Sequence, residues 1–139
     1  MWNSNLFSRE EHPTTQTILV VEDNSCIGML LVEVIHEETP YKAILVTDGK
    51  QALQLTRSLT PDLFLLDYHL PFMSGLELYD SLHAMKKFSE TPALFMSANI
   101  PIRELEKRHV CFINKPFELD DMINTIEGLL SRAVVAVTV

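Results

Sequence analysis

The sequence predicts an α/β fold, in which five parallel strands form one sheet with helices on both faces. Short apolar segments alternate five times with segments whose apolar residues recur at helical spacing. Strands buried on both faces have this nearly continuous apolar character, and helical crossovers connect them. The 139 residues, with an apolar fraction of 47%, have the size and composition of one globular domain. We therefore predict a single doubly wound domain over 17–131.

The first half of the chain follows a polar lead at 1–16. Three apolar runs have the length of strands: 17–22, 42–46 and 63–67. Helix 1 begins near Ser25 and ends before Thr39-Pro40, because a residue that precedes proline disfavours helical geometry. Its predicted inward stripe has helical spacing and consists of Ile27, Leu30, Leu31, Val34 and Ile35. Helix 2 is predicted at 49–58.

The second half repeats the alternation, with one weak helix. The remaining strands and well-patterned helices are predicted at 75–86 (helix 3), 93–97 (strand 4), 110–114 (strand 5) and after Pro116 (helix 5). Helix 4, at 102–109, is predicted to be short, because only Ile102 and Leu105 look inward. The tail at 132–139 is apolar with strand character. It is either a frayed chain end or, as we favour, a segment that pairs with a sheet edge, its own or that of a second chain. A homodimer is therefore one expectation.

The order of the strands follows from the handedness of their connections. Right-handed crossovers limit the topology to a doubly wound sandwich, and five strands favour the flavodoxin-like order 2-1-3-4-5. The carboxyl ends of all five strands then lie at one edge. That edge brings Glu22, Asp23 and Asp67 together, and it adds Ser97 and Lys115 from strands 4 and 5.

Charge and hydropathy exclude several classes of protein. A net charge of −8 argues against direct binding to nucleic acid, which needs a basic face. No apolar run approaches the roughly 20 residues that cross a bilayer. The first residues also lack the apolar centre of a signal peptide. We expect a cytoplasmic protein, with Cys26 and Cys111 as buried, reduced thiols.

The residues at the strand ends indicate phosphoryl transfer. Three carboxylates in one cleft repel one another unless a cation intervenes, and oxygen ligands suit Mg²⁺ or Mn²⁺. Asp67 can then attack phosphorus as the nucleophile. Lys115 supplies a fixed positive charge for a phosphoryl oxygen, and Ser97 can donate a hydrogen bond to another.

Each of these residues also has a simpler interpretation. Glu22 and Asp23 could form a solvated strand end, and Asp67 could cap helix 3. Ser97 alone is typical of a structural hydroxyl, and Lys115 alone of a surface lysine. Their joint position at one sheet edge favours the functional interpretation. Phe72 and Met73 are predicted to pack the loop after strand 3.

The chain resembles the receiver domains of two-component response regulators over roughly 17–131. Four motifs carry this resemblance: Glu22-Asp23, Asp67 followed by Pro71 and Gly75, Ser97-Ala98, and Lys115-Pro116-Phe117. It implies Mg²⁺ held by Asp23, Asp67 and the backbone carbonyl of His69, with Glu22 assisting through water. It also implies a stand-alone regulator similar to chemotaxis regulators.

The resemblance also implies partners and a switch. Asp67 would accept phosphate from a histidine kinase or a histidine phosphotransfer protein and would pass the signal to an unknown downstream protein. Such a chain is not an enzyme, although it assists its own phosphorylation and dephosphorylation. Ser97 and Phe112 would form the switch pair. Phe112 lacks the hydroxyl of the tyrosine often found there, and helix 4 is shorter than usual by about one turn.

Three alternatives come from other classes. A haloacid-dehalogenase-type phosphatase needs a second acid two residues after the nucleophile, where this chain has His69. A nucleotide-binding Rossmann module needs glycines after strand 1, where this chain has Glu22 and Asp23. A receiver-fold interaction domain that is never phosphorylated stays open. No effector domain is expected after helix 5, so the chain would act as a terminal regulator or as a relay.

Overall fold

The sheet has the predicted strand order. A computed structural model describes residues 15–99 and 101–138. All neighbouring strands are parallel, in the order β2-β1-β3-β4-β5. The five strands are β1 (Thr17–Val21), β2 (Lys42–Val46), β3 (Leu63–Asp67), β4 (Ala93–Ser97) and β5 (Cys111–Asn114). The predicted fold class is confirmed, and the predicted strand limits agree with the structure to within one residue.

Five helices connect and cover the strands. They are α1 (Ser25–Glu38), α2 (Gly49–Leu55), α3 (Gly75–His83), α4 (Ile102–Lys107) and α5 (Leu119–Thr138). Side chains of Asn24, Asp48 and Ser74 accept hydrogen bonds from the first turns of α1, α2 and α3. Helices α2 and α3 end three residues earlier than predicted. A short 3₁₀ turn, Lys86–Phe88, follows α3 and buries Phe88.

The core has two layers, because alternate strand residues point to opposite faces of the sheet. On one face, the strand residues pack with Leu31 and Ile35 of α1 and with Met122 and Ile126 of α5. On the other face, the strands pack with helices α2, α3 and α4, and with Phe88. Both faces are therefore covered, which is why the strands carry almost no polar residues before their carboxyl ends. Cys26 is exposed at the start of α1 and Cys111 is only half-buried, so the prediction that both thiols are buried is wrong.

Helix α1 packs through a different stripe from the predicted one. Leu31 and Ile35 are buried as predicted, but Ile27 is 40% exposed and Leu30 is 49% exposed. The reason is Gly28, which faces β2 so closely that a Cβ there would lie 2.6 Å from the side chain of Leu45. Gly28, Leu31 and Ile35 form the inward stripe, so two apolar side chains lie on the open flank of the helix.

Helix α4 is short, as predicted, with six residues. Leu105 is fully buried, but Ile102 is 48% exposed and its inward prediction is wrong. The helix approaches the core with its C-terminal turn, where Arg108 forms an ion pair with Asp80 of α3. The first turn of α4 therefore lies away from the core.

The tail is helical rather than extended. Helix α5 continues to Thr138, so the strand character predicted for 132–139 is wrong as far as residue 138. Extending an existing helix adds a hydrogen bond for each residue, whereas a new strand needs a partner edge. The predicted lead at 1–16 lies mostly outside the described residues, and so does Val139. Over the described ranges, no helix combines the length and apolar character needed to cross a membrane.

Candidate functional site

The sheet register brings the polar strand ends together. Val21 pairs with Leu66, so Glu22 follows β1 beside Asp67 at the end of β3. Ser97 of β4 pairs with Asn114 of β5. The next residue, Lys115, donates its backbone N–H to the carbonyl of Ser97 at 2.9 Å. The convergence expected from the sequence is present in the structure.

Three carboxylates form the floor and rim of the cleft. Oxygen atoms of Glu22, Asp23 and Asp67 all lie within 4.8 Å of one another. Glu22 and Asp67 are buried, whereas Asp23 is exposed. Glu22 Oε2 accepts a hydrogen bond from the backbone N–H of Asn24, and Asp67 Oδ1 accepts one from the backbone N–H of His69, each at 3.1 Å. Both buried acids are therefore oriented by the loops that follow their strands.

Lys115 joins the two buried acids. Its Nζ lies 3.1 Å from Glu22 Oε1 and 3.1 Å from Asp67 Oδ2. Burial by itself lowers the pKa of the Lys115 ammonium, but its hydrogen bonds to Glu22 and Asp67 outweigh burial and raise that pKa. Lys115 is thus positively charged at neutral pH.

Glu22 is the acid of the cluster whose pKa is raised above its ordinary value. Burial raises the pKa of its carboxyl, and the neighbouring Asp67 raises it further. The hydrogen bonds from Asn24 and Lys115 act in the opposite direction without cancelling the shift. The cluster contains three carboxyl groups, and Lys115 pairs with only two of them, so the cleft can accommodate another cation.

Ser97 and Phe112 lie at the side of the cleft formed by β4 and β5. Ser97 Oγ donates to the carbonyl of Asn99 at 3.2 Å and accepts from the N–H of Asn99 at 3.1 Å. The hydroxyl is therefore engaged with the next loop rather than with the acids. Phe112 pairs with Phe95 and is partly buried against the layer that contains α3 and α4.

The loop after β3 contains one residue that sequence reasoning misassigned. Tyr68, Leu70 and Met73 pack against the core, so the packing prediction for Met73 is confirmed. Phe72 is instead 102% exposed, with φ of 67°. The N–H of Met73 donates to the carbonyl of Pro71 at 2.8 Å, and this tight turn directs the ring outward. The one signal that the sequence offered for this exposed position was Phe72 itself, an aromatic residue that directly follows Pro71 in the loop.

Gly75 ends this loop and begins α3. Its N–H donates to the carbonyl of Tyr68 at 2.8 Å. A Cβ at position 75 would collide with the backbone carbonyl oxygen of Asp67. Glycine is therefore needed for α3 to begin directly against the backbone of Asp67.

An apolar depression of about 490 Å³ lies beside Lys115. Its lining comes from α1 and from the loops after β4 and β5, and it includes Ile27, Leu30, Leu31, Ala98, Pro116 and Phe117, beside Lys115. The Lys115–Pro116 peptide bond is cis. The sequence assigned Ile27 and Leu30 to the core, and so it missed this surface.

Comparison with known proteins identifies the family. A family model described as the response regulator receiver domain matches residues 18–127. The chain belongs to this family. The receiver is 31% identical over 123 residues to the polar-differentiation response regulator DivK of Brucella ovis, covering 86% of this chain and 99% of DivK.

Two further likenesses extend the comparison. Hybrid signal transduction histidine kinase D of Dictyostelium discoideum is 29% identical over 128 residues; the match covers 89% of this receiver but only 8% of the kinase. The chemotaxis response regulator CheY4 of Vibrio cholerae has the same fold, with a TM-score of 0.77 at 21% identity. That match covers 84% of this chain and 99% of CheY4.

The family confirms the predicted resemblance and the class of function. The chain is a receiver domain of two-component signal transduction, a class of signalling module that typically has no enzymatic role. The acidic cluster fits the ion that receivers hold, because Glu22, Asp23 and Asp67 offer only hard oxygen ligands at close range.

Proposed function

We propose that Asp67 accepts a phosphoryl group from the phosphohistidine of a histidine kinase or histidine phosphotransfer protein, and that this event changes the conformation of the receiver. The observation that carries the proposal is the setting of the Asp67 carboxylate. One oxygen accepts from His69 N–H and the other contacts Lys115 Nζ, at the carboxyl end of the central strand.

In the transfer step, one carboxylate oxygen of Asp67 attacks phosphorus. The P–N bond to the donor imidazole breaks as the P–O bond to Asp67 forms. The departing ring nitrogen takes up a proton from water, so the imidazole leaves as the neutral base. Lys115 then loses one carboxylate partner, because that oxygen has become part of an acyl phosphate. Its ammonium is free to bind a phosphoryl oxygen in a charge-assisted hydrogen bond.

The cleft would hold Mg²⁺ or Mn²⁺. Asp23, Asp67 and the backbone carbonyl of His69 would be the ligands, and Glu22 would act through water. When bound, the ion supplies positive charge that lets an anionic donor approach the carboxylates. The mutual proximity of the three acids supports this assignment.

Ser97 and Phe112 would form the switch. For the Ser97 hydroxyl to donate to a phosphoryl oxygen, its hydrogen bond to the carbonyl of Asn99 must break, because a hydroxyl has only one proton to donate. The loop that carries Asn99 would then move, and the ring of Phe112 would turn inward. The receiver would assist its own phosphorylation and dephosphorylation in the cytoplasm, as a terminal regulator or as a relay.

Labelling with a small donor tests the acceptor. Acetyl phosphate with Mg²⁺ should add one phosphoryl group by intact mass, and chelator should abolish the addition. Asp67→Asn should stay unlabelled. Asp62→Asn is the matched control, because Asp62 lies at the opposite end of β3 and accepts from the N–H of Thr17. Equal labelling of Asp67→Asn would refute the assignment.

Labelling with protein donors tests the partner. Purified histidine kinase cores and histidine phosphotransfer proteins encoded in the same genome form the panel, each loaded with phosphate on histidine. At least one should transfer to the wild-type receiver and not to Asp67→Asn. The apolar depression beside Lys115 supports a protein donor, since a small phosphate donor has almost no apolar surface to pack against it.

A further inference from the structure

Phe72 differs from its neighbours in the loop after β3. Three apolar side chains of this loop, those of Tyr68, Leu70 and Met73, pack against the core. The Phe72 ring packs against neither core layer of the described residues and is fully exposed. The fold therefore gains no burial from this aromatic residue.

The backbone at position 72 makes an aromatic residue unfavourable. Its φ of 67° lies in the left-handed region, where a bulky side chain crowds the backbone and glycine does not. A phenyl ring in water adds an unfavourable hydration term. The hydrogen bond from Met73 N–H to the carbonyl of Pro71 closes the turn, but within the described part of the chain the ring itself has no packing in either core layer that would offset these costs.

The position of Phe72 limits what can contact it during phosphoryl transfer. The loop runs from Asp67 to Gly75, so Phe72 projects from the segment that directly follows the acceptor. Asp67 is buried at the base of the cleft. A protein whose histidine reaches Asp67 must therefore lie over the rim of the cleft, within reach of this loop.

We propose that Phe72 is an anchor for the phosphodonor protein, whose matching surface has an apolar pocket beside the phosphohistidine and Lys or Arg side chains around it. This inference rests on the proposed function. Burial of an exposed aromatic ring gives the affinity, since aromatic anchors dominate many interfaces. The basic rim follows from the excess of carboxyl groups over ammonium groups in the cleft, formed by Glu22, Asp23 and Asp67 against Lys115.

Two variants separate the ring from the backbone. Phe72→Gly removes the ring and relieves the left-handed geometry, whereas Phe72→Ala removes the ring and keeps the geometry. Met29→Ala is the matched control, because Met29 is an exposed apolar residue of α1 that lines a different groove, with Val32 and His36. The panel donor that transfers fastest to the wild-type receiver serves as the probe.

Both Phe72 variants should lower the second-order rate constant of transfer from this donor by about 10-fold or more. Met29→Ala should stay within about twofold of wild type. Labelling by acetyl phosphate should be the same for all four proteins, since this donor has no surface for the ring. The Tm of Phe72→Gly should rise by roughly 2–5 °C, because the strained geometry is relieved.

Several outcomes overturn the inference, and they differ from failure of the proposed function. Transfer at the wild-type rate in both variants removes the anchor but leaves Asp67 as the acceptor. A lower Tm in Phe72→Ala, which keeps the backbone geometry, shows that the ring serves the fold. If light scattering shows that the variants dissociate a dimer while transfer is unchanged, the ring contacts a second copy instead. If no panel donor labels the wild-type receiver but acetyl phosphate does, the protein-donor half of the proposed function fails, and this inference fails with it.

Discussion

The acidic cleft and the segment between β4 and β5 (98–110) lie side by side and are held in different ways. In the cleft, two buried carboxyl groups and a partly buried ammonium from three strand ends contact one another directly. In the β4–β5 segment, Leu105 is the single buried side chain among the described residues. Surface ion pairs also hold this segment, and in one of them Arg108 contacts the carboxylate of Asp80 through two hydrogen bonds of 2.8 Å.

The cleft is therefore expected to be rigid at Asp67, and the β4–β5 segment is expected to be mobile. Parallel pairing on both sides fixes the end of β3, so the position of Asp67 is determined by the backbone. The β4–β5 segment has few buried contacts, and such regions open at lower free energy than the core. Ser97 joins the two regions, because its backbone belongs to β4 and its hydroxyl is bonded to Asn99.

The largest effect is expected where the β4–β5 segment depends on one side chain. Leu105→Ala should lower the free energy of unfolding by about 3 kcal/mol, because it leaves a cavity in the layer that contains Phe95 and Leu82. Ile102→Ala, on the exposed turn of α4, should cost less than about 0.5 kcal/mol. Urea unfolding of both variants measures the contrast. Similar losses would show that α4 packs through both of its turns.

A smaller effect is expected in the cleft. Lys115→Ala should cost about 2 kcal/mol in chelator, because Glu22 and Asp67 then face each other without a cation. Added Mg²⁺ should restore part of this loss. Lys107→Ala is the control, since its ion pair with Glu104 is exposed and should be worth less than about 0.5 kcal/mol. Equal losses in chelator would contradict the distinction between buried and surface pairs.

The smallest effect concerns the ion pair that holds α4 to α3. Arg108→Ala should cost about 1 kcal/mol at neutral pH, since the pair with Asp80 is bidentate but partly exposed. The hydrogen bond from Arg108 holds the pKa of the Asp80 carboxyl below its usual value of 3.8. The pair therefore stabilises the fold above pH 3.8 and loses this contribution as the pH falls through the lower folded value.

Unfolding at pH 7 and below pH 3.8 checks this dependence. The difference between wild type and Arg108→Ala should shrink in acid, while acetyl phosphate labelling of Asp67 at neutral pH stays unchanged in the variant. A difference that persists in acid would mean that Arg108 acts mainly through its contact with the carbonyl of Glu104, 2.8 Å away.

The features that were predicted correctly from the sequence are those that the pattern of strands determines. Apolar runs fixed the strands to within one residue, and their carboxyl ends fixed Glu22, Asp67 and Lys115 at one edge. Register leaves little freedom at such positions. The prediction was therefore strongest where the backbone ladder alone determines which residues meet.

The errors fall where side-chain packing or loop geometry decides. The rotation of α1 depends on the close approach of Gly28 to Leu45, which no periodicity contains. The outward ring of Phe72 depends on one left-handed backbone angle. The helical tail shows that residues with strand propensity follow an existing helix when that helix continues.

The close approach at Gly75 has a consequence for natural variation in this domain. Position 75 carries no reactive group, yet any side chain there would collide with the carbonyl oxygen of Asp67. The start of α3 would have to withdraw, or the acceptor itself would shift. A population survey or a saturation library should thus find position 75 as intolerant as position 67. A harmful substitution of Gly75 would therefore act by moving Asp67 out of place.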